Sequence, residues 1–429
     1  MRPSWFTLPD MRSPALVVLC TLLAGAPSEA QTASPGPTPP PQGKHSGAPL
    51  GQFTAGPFIV TPTFRIGTLA VDTNVQYRRE RTADFVASGG PGLDIALPFL
   101  DQWKLELRGS SEYFYFHETR ELRRWTGGGD ASLFWKTTGT EASFSARVNR
   151  DFSRPNFEVD TRVVTDQRFL GANFQRDLGR MTLAMDANLA ATRVQEGQEF
   201  RGADLAISLS VDRYRGGAEL RYRLTPVSSL LIEGGYEESR FPNATLRNFS
   251  EQTAGVGIRT TGLLDGRATA GVRRTQLLQG TAEKTQPYFR ADLRQQLGRR
   301  LALTERYTHE SAVSAFATDG DLPTFERRSL DVMLSIEITR RIDLRFGGAR
   351  DRTVSNGLVT VLLDDGTTGR AKRDDVSYVG RADIGMRLGR ARASIFVSYT
   401  TRESLFFSDF GIQGFQAGAR VEYAPQGSR

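Results

Sequence analysis

The sequence contains a single cysteine, Cys20, among its 429 residues. Cys20 lies in an apolar stretch close to the N-terminus, so the chain that follows it has no disulfide, no thiolate metal site and no cysteine nucleophile. Chains that are exported through an oxidising compartment often avoid stray thiols in this way.

Histidine is almost as scarce, with His45, His117 and His309 as the three in the sequence. None of them has a second ligand at a metal-binding spacing. A hydrolase needs a base, usually histidine, beside its nucleophile, and the sequence has neither a G-x-S-x-G elbow nor a phosphate-binding loop. The sequence therefore predicts a protein that is not an enzyme, with no catalytic, metal-binding or cofactor-binding residues.

Long apolar runs are also missing, because no stretch of 18 or more apolar residues occurs and the mean hydropathy is −0.37. This excludes a helical membrane protein. It does not exclude a membrane β-barrel, whose strands need an apolar side chain only at every second position.

Lysine makes up only five of the 55 basic residues, and the formal net charge is +7. Two explanations are open: codon usage in a GC-rich genome, or a basic interior that favours anionic solutes. The arginines are spread along the chain beside acidic residues, so nucleic-acid binding is not predicted.

The N-terminus resembles a secretory signal, with Arg2 and Arg12 before a short apolar segment and with Ser28-Glu29-Ala30 at its end. The pattern predicts a signal peptide at 1–30 that is cleaved between Ala30 and Gln31. The Pro- and Gly-rich stretch that follows predicts a flexible periplasmic linker. The predicted organisation is a signal peptide at 1–30, a linker at 31–56, one domain at 57–423 and a short tail at 424–429.

Alternating apolar and polar residues dominate the predicted domain. In the segment 330–339 every even-numbered residue is aliphatic, and its ten residues match the length of a tilted strand that crosses a bilayer. About 18 such strands are predicted, with 16 as the alternative because 202–224 reads either as one strand with an irregular half or as two. The predicted spans are 57–75, 82–97, 103–117, 123–137, 141–151, 158–177, 180–193, 202–224, 229–240, 248–260, 264–277, 286–297, 301–311, 329–339, 341–351, 375–388, 391–401 and 414–423.

Turns of two lengths separate these strands. Short turns such as Leu178-Gly179-Arg180 and Leu388-Gly389-Arg390 alternate with longer polar connections such as 312–328 and 352–375. This alternation is typical of outer-membrane barrels, in which the short turns are periplasmic.

The segment 415–423 carries the clearest sign of how the apolar faces are used. Its odd-numbered residues are apolar or aromatic, and the spacing of Gln416, Gly418, Val421 and Tyr423 resembles the C-terminal assembly signal of bacterial outer-membrane barrels. In that case the apolar face contacts lipid and the polar face lines an interior.

A soluble β-sandwich or propeller is the alternative fold, in which each apolar face meets a second sheet. The number of strands, the export signal and the charged polar faces favour the barrel, which must close because no strand edge can stay unpaired in hydrocarbon. We therefore predict an all-β fold, a transmembrane antiparallel up-and-down β-barrel in the bacterial outer membrane.

Two segments carry a more specific resemblance. Gly56-Pro57-Phe58-Ile59-Val60-Thr61-Pro62 with Val71-Asp72-Thr73-Asn74-Val75, and Asp212-Arg213-Tyr214-Arg215 with Tyr222-Arg223-Leu224-Thr225-Pro226, are similar to the β-barrel porin 2 family. The resemblance implies an outer-membrane barrel of the kind often associated with exopolysaccharide gene clusters. It implies a polysaccharide as the cargo, while a basic interior would favour small anionic solutes. An outer-membrane barrel also has the outer-membrane lipid and the barrel-assembly machinery as expected partners.

Two functions follow from these predictions. The first is a passive channel or porin, for exopolysaccharide export or for anionic solutes. The second is a structural or adhesive barrel whose interior is occluded and whose long loops carry the function. The residues predicted to face the interior are Arg290, Asp292, Arg294, Glu337, Asp343, Arg345, Arg381, Asp383, Arg387, Arg392, Gln416, Arg420 and Glu422.

Overall fold

The computed structural model describes residues 48–49, 53–76, 81–155, 159, 161–200, 202–314, 322–362, 367–389, 391–404 and 412–423. The predicted signal peptide with its cleavage site at Ala30 and Gln31, most of the predicted linker and the predicted tail 424–429 lie outside these residues.

One antiparallel sheet of 20 strands contains nearly all of the described chain, and two of its strands are very short. The other 18 strands form a closed barrel. They are β1 Phe58–Asp72, β2 Asp84–Phe99, β3 Trp103–Phe116, β4 Arg124–Thr137, β5 Thr140–Ser153, β6 Val163–Leu178, β7 Met181–Val194, β8 Val211–Thr225, β9 Ser228–Arg240, β10 Phe249–Thr260, β11 Leu264–Leu277, β12 Glu283–Gln296, β13 Leu301–Val313, β14 Thr324–Glu337, β15 Ile342–Ser355, β16 Asp374–Leu388, β17 Ala391–Ser404 and β18 Ile412–Tyr423.

Each strand pairs with its neighbours in the chain, and β18 closes the ring by pairing with β1 from Gln416↔Asp72 to Ala419↔Leu69. The two short strands, Ala48–Pro49 and Phe53–Ala55, add to the first half of β1 and fall inside the predicted linker. The predicted all-β barrel of 18 strands is therefore confirmed.

The largest departure from the predicted strands lies at 202–224. Only Val211–Thr225 is a barrel strand there, and Leu205–Leu209 forms a short helix, α1. The side chain of Asp204 caps this helix by accepting hydrogen bonds from the backbone N–H groups of Ala206 and Ile207. Of the two predictions for 202–224, one strand with an irregular half is confirmed and two strands is wrong.

The connections differ at the two ends of the barrel. At one end, which we call the short-turn end, strands are joined by turns such as the one between β6 and β7, where Gly179 has φ of 72°. This left-handed conformation suits glycine, which has no Cβ to clash with the backbone. The other end, the long-loop end, carries connections such as the one from β15 to β16.

Large apolar side chains cover the outside of the barrel. Val256 is 59% exposed, Ile395 is 65% exposed and Leu170 is 56% exposed, although each occupies the middle of its strand. Buried side chains on the opposite faces of the strands are often charged, such as Asp331, Asp343 and Arg392. The usual arrangement of a water-soluble protein is thus inverted.

Within the described part of the chain, we find no helix whose length and apolar character would let it cross a membrane.

Candidate functional site

The polar side chains contact one another across strands that are not neighbours. The Tyr288 hydroxyl on β12 donates a hydrogen bond to Glu233 on β9 at 2.7 Å, and Arg392 on β17 contacts Asp343 on β15 at 2.6 Å. Such contacts skip one or two strands. They form only where side chains converge, on the concave face of a closed sheet, so the polar face lines the interior.

Arg392 is at the centre of one cluster on this wall. Its Nε lies 3.0 Å from both carboxylate oxygens of Asp343, and its Nη2 donates to Asp383 as well. Arg345 and Arg420 extend the cluster, at 3.4 Å from Asp343 and Asp383 respectively. Five residues from four neighbouring strands, β15 to β18, therefore share one network of opposite charges.

A glycine allows Arg392 to lie flat against the wall. A Cβ at position 385 would stand 2.3 Å from the Arg392 guanidinium carbon, so only glycine leaves room for that side chain. Gly347 does the same for Arg381, which reaches Asp331 at 2.5 Å from two strands away. These arginines are held along the wall and do not extend across the interior.

A second cluster on the opposite wall surrounds Glu233. The Glu233 carboxylate accepts hydrogen bonds from Tyr288 and from Arg267, and Arg267 also pairs with Glu219 at 2.5 Å. Arg221 pairs with Glu219 at 2.7 Å. Two arginines here face two carboxylates, whereas the first cluster has three arginines and two carboxylates.

Tyr288 reaches Glu233 by lying over two glycines. Its ring atoms occupy the space where a Cβ would stand at Gly271, and its hydroxyl occupies that space at Gly255. The register places Gly255, Gly271 and Tyr288 in one row that leads from Glu233. The ring therefore packs along the wall, against the backbone of β10 and β11.

A cavity of about 760 Å³ lies against the wall formed by β4 to β14, which includes the second cluster. Its lining includes Glu233, Tyr288, Arg290, Asp292 and Glu310. Arg290 lies 4.0 Å from Glu310, and the Asp292 carboxylate accepts a hydrogen bond from Arg306 at 2.8 Å. The interior is polar and carries both signs of charge.

The structure places the other predicted interior residues as follows. Arg387 pairs with Glu337 at 2.8 Å where both side chains are about half exposed. Arg294 is exposed near the short-turn end. Gln416 lies opposite Ser398 in the sheet, and Glu422 lies opposite Arg392, although the Glu422 side chain is outside the described residues.

The residues of the predicted assembly signal form the last part of β18. Gly418 approaches β1 closely, since a Cβ there would stand 2.3 Å from the Leu69 carbonyl oxygen. Val421 and Tyr423 pair in register with Ala393 and Ala391 of β17. That these residues direct assembly stays a prediction, as does the use of the predicted interior residues by a solute.

The cluster around Glu233 was missed in the sequence. Three of its members lie at the polar positions of strands in which apolar and polar residues alternate: Glu219, Arg221 and Glu233. The alternation alone could therefore have predicted them as interior residues. The contact of Tyr288 with Glu233 depends on the register of four strands, and the sequence does not supply that register.

The hairpin of β13 and β14 bends into the mouth of the barrel at the long-loop end. Pairing between β12 and β13 stops at Phe289↔His309, although β12 begins at Glu283. Beyond that point Val313, which has the outward phase of its strand, packs in one cluster with Phe249 and Leu277 of the inner wall. The tip therefore lies inside the mouth.

Buried Arg247 helps to hold this tip. Its guanidinium donates hydrogen bonds to the carbonyl oxygens of Ser314 next to the tip and of Ser208 in α1, the latter at 3.2 Å. Three long-loop connections are thereby joined on one side of the mouth.

A second hairpin bends inward almost opposite the first. Pairing between β4 and β5 stops at Gly127↔Arg150. Phe152 and Val164, at the tips of β5 and β6, then pack with Val86 and Phe116 of the inner wall. Because β5 and β13 are eight strands apart in a ring of 18, the mouth is narrowed from two sides.

Among the described side chains, no group of three His, Cys, Asp or Glu is placed to hold a metal ion.

Comparisons with known proteins give structural likeness only. No family model and no curated protein matches the chain. OpdL of Pseudomonas aeruginosa has a TM-score of 0.48 at 13% identity, covering 85% of this chain and 98% of its own. OpdQ of the same species has a TM-score of 0.46 at 10% identity, covering 86% and 99%.

The siderophore receptor PirA of Acinetobacter baumannii has a TM-score of 0.45 at 11% identity. The match covers 78% of this chain and only 62% of the receptor, so the chain spans less than two thirds of that protein's length. Likeness at this level carries no argument about function, and the resemblance to the β-barrel porin 2 family stays a prediction.

Proposed function

We propose that the protein is an outer-membrane channel that lets polar solutes pass through a water-filled interior. The observation that carries this proposal is the polar concave wall, whose charges are paired along the sheet and enclose a cavity of about 760 Å³. An 18-stranded barrel is wide enough to leave an aqueous path.

The outer surface supports a position in a membrane. Trp103 and Trp135 lie side by side at the short-turn end of β3 and β4, and Tyr113 and Trp125 lie side by side ten residues further along β3. Ten residues of a strand tilted by about 40° rise about 25 Å. That height matches the apolar band between the two aromatic girdles of outer-membrane barrels.

The glycine rows support an open interior. Arg392 and Tyr288 would obstruct the path if they pointed across it, and Gly385, Gly255 and Gly271 let them lie along the wall. Paired Arg and carboxylate groups on the wall also order water and screen charged solutes.

The cargo proposed from the sequence resemblance is a nascent exopolysaccharide, and the arginine-rich interior favours small anionic solutes as the alternative cargo. Outer-membrane lipid and the barrel-assembly machinery are the proposed partners of the folded barrel. Glycosyltransferase genes and a chain-length regulator next to this gene would support polysaccharide export, and an unrelated gene neighbourhood would speak against it.

The rival function, a structural or adhesive barrel, is favoured by one specific observation. Two opposed hairpins bend into the mouth, and Val313 and Leu322 of one of them are each only 8% exposed in the cluster that holds it. If these hairpins close the mouth completely, the long loops and not the interior would carry the function.

Swelling of liposomes in sugars of increasing mass separates the two functions. For the folded protein we expect swelling that is fast with small sugars and slows as the sugar becomes larger. Replacing both Val313→Asp and Leu322→Asp should release the hairpin and admit larger sugars. A wild-type barrel that admits no sugar, beside a double variant that admits them, would contradict the channel and support the occluded barrel.

A further inference from the structure

The short-turn end of the interior carries three arginines with no carboxylate partner among the described residues. Arg223, Arg259 and Arg294 lie on β8, β10 and β12, in phase with the inward residues of those strands, and all three are exposed. None of them forms an ion pair within 4 Å in the described part of the chain. Other inward arginines of β8 and β12, which lie further from the short-turn end, do form such pairs.

Among the described residues, the carboxylates on the neighbouring strands either form ion pairs with other arginines or form none with these three. Glu219 pairs with Arg221 and Arg267, and Glu233 also pairs with Arg267. Asp265 lies directly opposite Arg294 in the sheet but forms no ion pair with it. In the part of the chain that the structure describes, none of the three guanidinium groups therefore has a carboxylate oxygen within 4 Å.

The arc has a regular spacing. Its members lie on alternate strands, so four inter-strand steps separate the first from the last, which is about 19 Å at about 4.8 Å per step. That span exceeds the size of a single small anion. An extended chain with repeated negative charges fits it, because each arginine can then meet a different charge of the same molecule.

We propose that Arg223, Arg259 and Arg294 form a binding site for a linear polyanion at the short-turn mouth of the channel. This inference rests on the proposed function, because it takes the short-turn end as the periplasmic mouth. The site raises the local concentration of such a chain at the mouth, as clefts lined with one sign of charge do.

Titration calorimetry of the folded barrel in detergent tests the site without requiring conduction. The probes are a galacturonate decamer, galacturonate monomer and inorganic pyrophosphate. Exposed ion pairs each change affinity by a factor of about 1.5 to 5, so removing all three arginines (R223Q, R259Q and R294Q together) should weaken decamer binding about tenfold. The loss should shrink in high salt.

A control variant removes the same charge from the turns, with Arg299→Gln, Arg340→Gln and Arg341→Gln. These exposed residues lie outside the inward phase of the strands, and we expect this variant to bind the decamer like the wild type. Equal losses in the two variants, no loss in the first, or pyrophosphate binding as tight as decamer binding would each overturn the proposal.

Conductance measured on the same preparations keeps the two proposals apart. A barrel that conducts but shows no loss of decamer binding in the first variant contradicts the polyanion site alone. A barrel that binds the decamer through the three arginines but does not conduct supports the site and contradicts the channel.

Discussion

The Arg392 cluster allows a prediction of stability from burial. The side chains of Arg392, Asp343 and Asp383 are 8%, 6% and 9% exposed. Breaking a buried ion pair by removing one partner costs about 3–5 kcal/mol, since a charge is left without compensation. Arg345 and Arg420 stay within 3.4 Å of the two carboxylates, so Arg392→Gln should lower the free energy of unfolding by about 3 kcal/mol.

A matched control separates burial from hydrogen-bond geometry. Arg274 also makes two hydrogen bonds to one carboxylate, at 2.8 and 2.7 Å to Glu283, but these side chains are 50% and 39% exposed. Solvent screens such a pair, so Arg274→Gln should leave stability nearly unchanged. Guanidinium unfolding in lipid vesicles, followed by tryptophan fluorescence, measures both. Equal losses in the two variants would refute the assignment of Arg392 to a buried wall.

Three further predictions concern other parts of the barrel. Val256→Arg, in the middle of the apolar outer face, should destabilise the barrel in vesicles by about 2–4 kcal/mol, whereas Leu246→Arg in a long-loop connection should have little effect; equal effects would argue against a lipid-facing surface. Tyr288→Phe removes the hydrogen bond to Glu233 and should cost about 1 kcal/mol in the same unfolding assay, and an unchanged midpoint would contradict that contact. Arg247→Met removes two hydrogen bonds of about 0.5–1.5 kcal/mol each. It should loosen the inward hairpin and speed its proteolysis about tenfold, with an unchanged cleavage rate as the contrary result.

Most of the fold could be predicted from the sequence because a barrel strand has a strong local pattern. The alternation at 330–339 indicates both a strand and its lipid-facing side, and the structure places Leu330 and Asp331 on opposite faces. The segment 205–209 alternates equally well but is helical. There Leu205, Ala206 and Leu209 are all buried, and tertiary packing of this kind, which the alternation does not show, stabilises most helices in proteins.

The interior was harder to predict than the strands. The sequence supplies the phase of each strand, and phase was enough to nominate Arg392, Asp343 and Asp383. It does not supply the register between strands, which decides that Tyr288 reaches Glu233 over two glycines. The inward hairpins form where β5 stops pairing with β4 and where β13 stops pairing with β12. The position of these end points depends on the packing of the whole barrel, which the sequence pattern of one strand does not show.

The central claim is that one face of each strand meets lipid and the other meets water inside the barrel. Single cysteines at Leu334 and Ser335, adjacent residues of β14 with opposite phase, test it most directly in a variant from which Cys20 is absent. In vesicles, Ser335→Cys should react with a membrane-impermeant thiol reagent and its labelling should reduce the ion current, while Leu334→Cys should stay unlabelled. Labelling of Leu334→Cys in preference to Ser335→Cys, or equal labelling of both, would contradict the account.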